Sequence, residues 1–121
     1  MITIEQLKEI QQRADKLKQY LAIDEKRVQL EEEELRTQDP GFWEDAKAAE
    51  AQMRKVKGIK AWIEGYAGVR AATEELQLAF DYCKEELVTE DEVDTAYAHA
   101  LKEVEDLEMK NMLSHEEDQM P

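Results

Sequence analysis

Between Thr3 and about Arg36, apolar residues recur at three- and four-residue steps. Leu7, Ile10, Ala14, Leu17, Leu21 and Val28 hold the register, and Leu35 continues it after gaps at Asp24 and Glu31. That spacing places them on one face of a helix. Tyr20, Ile23 and Leu30 widen the stripe, and no Gly or Pro interrupts it. Thr3 followed by Gln6 fits a capping box at its start. At 1.5 Å per residue the predicted helix is roughly 50 Å long.

Gln38-Asp39-Pro40-Gly41 then breaks the pattern, because Pro-Gly marks a turn and Pro40 disfavours helix at Asp39. A second segment is predicted from about Trp43 to Leu87. Ala46, Ala49, Met53, Val56, Ile59 and Ile63 form an early stripe. Ile59, Trp62, Tyr66, Val69, Thr73, Leu76, Phe80, Cys83 and Leu87 follow in an unbroken alternation of threes and fours. This is the pattern of a coiled-coil-like seam. Gly58, Gly65 and Gly68 each cost about 1 kcal/mol relative to Ala in a helix interior. They leave two readings open, a continuous helix or one that bends or breaks there. The third segment starts at Thr89, which forms a second capping box with Glu92. Val93, Tyr97, Ala100, Val104 and Leu107 make its stripe, and it is expected to end near Met112 or Leu113.

The predicted fold is all-α: an antiparallel bundle of three long helices with coiled-coil-like packing, since none could bury its stripe alone. Residues 1–113 form the bundle. Residues 114–121 are read as a loose polar tail leading into a missing downstream region.

Composition narrows the function classes. The chain has 121 residues with 4 Gly and 2 Pro, too few turn formers for an all-β fold. No apolar run approaches the roughly 18–20 residues that span a bilayer. The first residues carry neither a basic nor an apolar leader region. The single Cys83 cannot form an internal disulfide, and together these features predict a cytoplasmic setting. The net charge is −14, distributed as −2 over residues 1–37, −3 over 38–87 and −9 over 88–121. Such a chain repels phosphate on average and is not expected to bind DNA. Arg54, Lys55, Lys57 and Lys60 are a local exception. They suit a contact with RNA or an acidic partner, or else a solvated face balanced by nearby carboxylates.

Catalytic chemistry is scarce. His99 and His115 have no neighbours at metal-ligand spacing, and there is no calcium loop and no Gly-rich phosphate loop. Neither cofactor nor metal is expected. Cys83 lies on the seam and reads as a buried structural thiol. Phe42 and Trp43 read as a staple of the second helix onto the first, with an exposed contact site as the other option.

Three elements, in order, resemble one known family. Leu17-Lys18-Gln19-Tyr20-Leu21 with Asp24 resembles an early segment of bacterial peptide chain release factor 2, of the class I release factors. Asp39-Pro40-Gly41-Phe42-Trp43-Glu44-Asp45, with Ala51-Gln52 after it, is similar to the family's Asp-Pro-x-Phe-Trp element. Leu113-Ser114-His115-Glu116-Glu117-Asp118 is similar to the Leu-Ser-Gly-Glu-x-Asp element that closes the family's first domain, with His115 in place of the usual Gly. The resemblance covers only the N-terminal helical domain. The Gly-Gly-Gln of the hydrolytic part and the Ser-Pro-Phe of codon reading are absent, so no residue is assigned catalysis. The resemblance implies a positional role in translation termination, against the stalk base of the large ribosomal subunit, with its protein and RNA. It also implies an influence on the release-factor GTPase. Arg54, Lys55, Lys57 and Lys60 are the candidate partner-binding residues. The alternative is a free-standing coiled-coil scaffold or adaptor that self-associates through exposed seam residues. A monomer is expected for the domain alone, with a dimer as the open alternative.

Overall fold

The computed structural model describes residues 1–119. Met120 and Pro121, the end of the predicted tail, lie outside the described residues. Among the described residues are four α-helices: α1 (Ile4–Tyr20), α2 (Ile23–Arg36), α3 (Ala46–Lys84) and α4 (Glu90–Gln119), with a short 3-10 turn at Phe42–Glu44.

Both capping boxes form. The Gln6 backbone N–H donates to Thr3 Oγ1 at 3.1 Å, and the Thr3 N–H donates to Gln6 Oε1 at 2.8 Å. Glu92 and Thr89 repeat the exchange at 3.1 and 3.2 Å. Asp45 caps α3 by accepting from the Ala48 N–H at 3.1 Å. These caps satisfy backbone donors that a helix start leaves without intrahelical partners.

The first predicted helix is two helices. At the break Ala22 is left-handed, with φ 48° and ψ 53°. For a residue other than Gly this costs roughly 1–2 kcal/mol. The Lys26 ammonium donates to the Leu21 carbonyl, one of those left over at the end of α1. The break changes which face of α2 turns inward. A straight helix would have carried Asp24, Val28, Glu31 and Leu35 toward the neighbouring helix. Instead Ile23 and Glu33 are buried and Lys26, Leu30 and Thr37 half-buried. Val28 is 57% exposed and Leu35 59% exposed. The acidic gaps at Asp24 and Glu31 mark where the expected stripe fails.

The second predicted helix is continuous through its glycines. At 39 residues, α3 is roughly 58 Å long. A Cβ on Gly65 would stand 3.1 Å from Leu107 Cδ1, and one on Gly68 would stand 3.1 Å from Glu103 Oε2. Gly65 therefore admits Leu107 of α4, while Gly68 leaves room for the Glu103 carboxylate. Gly58 has open space beside it. The helix ends at Lys84, before the expected Leu87, and left-handed Glu86 turns the chain toward α4. At the other end of the chain, α4 continues past Leu113 to Gln119, so the tail expected from Ser114 onward is helical as far as it is described.

α1 and α4 run parallel to each other and antiparallel to α3. Gln11 meets Gln77 across α1 and α3. Arg13 holds Glu108 through two hydrogen bonds of 3.1 and 2.6 Å across α1 and α4. Leu7, Ile10, Leu17, Val69, Leu76, Val93 and Val104 fill the interior between them. α2 packs chiefly on α3, toward the Ala46 end. The result is a bundle extended by a two-helix arm.

Candidate interaction surface

The arm carries every residue singled out as partner-binding. Ala49, Val56 and Ile59 are buried along its α3 strip. Glu33 of α2, only 5% exposed, meets the same strip through Gln52 and Lys55. Its carboxylate accepts from Gln52 Nε2 at 2.6 Å, and the same amide donates to the Glu33 carbonyl at 3.0 Å. Lys55 Nζ stands 3.3 Å from the other carboxylate oxygen and Arg36 Nε 3.9 Å from the first. The Gln52 hydrogen bond and the Lys55 ammonium hold the Glu33 carboxyl below the ordinary carboxylate range, against the opposing pull of burial. This buried carboxylate was not anticipated from the sequence, where it is one of four consecutive glutamates. Its only sequence signal is the three-four spacing with Ile23, Lys26, Leu30 and Thr37.

The four basic residues do not form one patch. Lys55 is turned to α2 and pairs with Glu33, with about half of its side chain still exposed. Lys60 pairs with Glu34 at 3.6 Å, and Arg54 pairs with Glu50 one turn away at 2.6 Å. Lys57 is exposed and makes no ion pair among the described residues. Arg54, Lys57 and Lys60, with Glu50, Met53 and Val56, line a shallow groove of about 430 Å³. Met53, expected in the early stripe of α3, is 42% exposed and forms part of this lining. So three of the four basic residues share a groove with an apolar side chain, and the fourth, Lys55, joins α3 to α2 beside it.

At the tip of the arm, the 3-10 turn packs on α3 with Phe42 half-buried, and Trp43 departs from the expected staple. Trp43 is 63% exposed. The two rings pack edge to face on each other, with centroids 4.6 Å apart. Away from the arm, Cys83 is half-buried rather than buried, with Sγ 3.6 Å from Met1 Sδ. His99 and His115 are both exposed. Among the described residues, no helix is long and apolar enough to cross a membrane.

No family model matches this chain, and no solved structure matches it. Peptide chain release factor 2 proteins of Burkholderia pseudomallei and Burkholderia mallei are each 30% identical to it over 116 residues. The match covers 93% of this chain and 31% of each relative. The chain thus spans about a third of the length of the curated relatives it matches, and over that span it is similar to peptide chain release factor 2.

Proposed function

We propose that this chain is the non-catalytic N-terminal helical domain of a translation-termination release factor, and that it docks near the stalk base of the large ribosomal subunit. The similarity to release factor 2 across 93% of the chain carries the reading. The Asp-Pro-Gly-Phe-Trp element adds to it, since it forms the exposed tip of the arm. In this role the arm is the contacting part and the α1–α3–α4 bundle its rigid base. The factor works in the cytoplasm, and the domain's position also bears on the release-factor GTPase. Lys57, Arg54 and Lys60 supply local positive charge on an acidic domain, which suits a contact partly to ribosomal protein and partly to RNA.

The test is a chimera in which this chain replaces the matching segment of a Burkholderia release factor 2. The chimera is expected to release peptide from ribosomes halted at a stop codon. The Lys57→Glu/Lys60→Glu chimera should do so more slowly, with a weaker dependence on salt. Identical kinetics for the two chimeras at low and high salt would remove the lysines from the contact. Release by this chain alone would overturn its non-catalytic assignment.

A further inference from the structure

The arm presents two exposed surfaces of opposite character. On α2, Val28 and Leu35 stand seven residues apart, opposite the Ile23–Leu30–Glu33 face that meets α3. Glu25, Glu31 and Glu32 flank them, exposed and without ion pairs among the described residues. On α3, the groove offers Met53 as its exposed apolar element and a basic rim in which Arg54 is paired with Glu50 and Lys60 with Glu34, leaving Lys57 as the unpaired cation among the described residues. The spacings agree. Val28 and Leu35 are about 10.5 Å apart along the helix axis, as are Met53 and Lys60. Glu31 and Glu32 fall between the first pair, and Lys57 falls between the second.

We propose that the occupant of the groove is a second copy of this chain, which lays the Val28–Leu35 face of its α2 along α3. Charge complementarity selects this occupant: the acidic, apolar-anchored helix that the groove fits is present on the chain itself. Because stripe and groove are different patches, the contact is heterologous, joining copies head to tail rather than by a self-matching face. The inference rests on surface chemistry and does not depend on the release-factor reading.

The experiment is sedimentation velocity of the protein over a range of concentrations, with the variants Val28→Glu and Lys57→Glu. Both positions are exposed and outside the ion-pair network, and unchanged helical circular dichroism checks that the variants fold. The wild type is expected to associate at low salt, and roughly tenfold less tightly when NaCl is raised from about 50 to 500 mM. Each variant alone is expected to be monomeric. Mixed, they should form a one-to-one dimer and stop there, since only one stripe and one groove remain intact. Leu35→Glu with Met53→Glu should repeat the result. A wild type that stays monomeric at low salt overturns the proposal. So does an association that survives both variants, or a mixture that fails to dimerise.

Discussion

A carboxylate that is largely shut off from water needs partners for its lone pairs, and Glu33 has them in three side chains. Gln52 donates at 2.6 Å, Lys55 stands at 3.3 Å and Arg36 at 3.9 Å. Removing the carboxylate leaves the Gln52 amide with the Glu33 carbonyl alone and takes the counter-charge from Lys55 and Arg36. Glu33→Ala should therefore lower the urea midpoint at pH 7, and Glu33→Gln should lower it less. The pH dependence has a definite sign. A carboxyl whose folded pKa lies below its ordinary value stabilises the fold above that value. The contribution is lost as pH falls from about 4.5 through the lower folded pKa. Between pH 7 and pH 3 the wild type should lose more stability than Glu33→Gln. Equal losses in urea titrations at the two pH values would show that Glu33 carries none of the acid sensitivity. The hydropathy pattern could not reveal this residue, because periodicity marks apolar faces and a satisfied buried charge looks like any surface glutamate.

The helices show which parts of the pattern are local and which depend on contact. Caps are local: Thr3, Thr89 and Asp45 act within their own first turns, and two of these starts are readable as capping boxes. The seam from Ile59 to Phe80 is also readable, because its three-four alternation is long and unbroken. The glycines of α3 are not, since whether a missing side chain bends a helix or admits a neighbour depends on what lies beside it. The structure separates them. Gly58→Ala has open space and should raise stability by about 0.5–1 kcal/mol through helix propensity. Gly65→Ile must push Leu107 away and should lower it by about 1–3 kcal/mol. Chemical denaturation of the two variants checks both signs. The break at Ala22 escapes local reading too, because Ala is a strong helix former and nothing nearby forbids a helix. Its trace is indirect, in the two acidic residues that occupy expected stripe positions.

Over the whole molecule, burial is concentrated in the α1–α3–α4 bundle. Ile10, Val69, Leu76, Val93 and Val104 are almost fully enclosed there, and Arg13 ties α1 to Glu108 of α4. The arm holds fewer buried apolar residues and exposes Val28, Leu35, Met53 and Trp43. Amide hydrogen exchange should follow this division. Backbone amides of α2 and of residues 46–56 are expected to exchange faster than those of residues 66–80 and 93–107, and uniform protection would show that arm and bundle open together. The candidate site was legible in part for the same reason. Basic residues can be counted from sequence, but which of them stay free depends on the glutamates α2 brings across, and that follows from its register. The register in turn follows from chain length. A helix comes back to the same face after three or four residues, whereas Leu21 and Ile23, both buried, are two apart. Left-handed Ala22 makes up the difference. A chain one residue longer at this junction could keep both faces inward as a single uninterrupted helix. Insertion or deletion there, more than any substitution, would decide which side of the arm meets a partner.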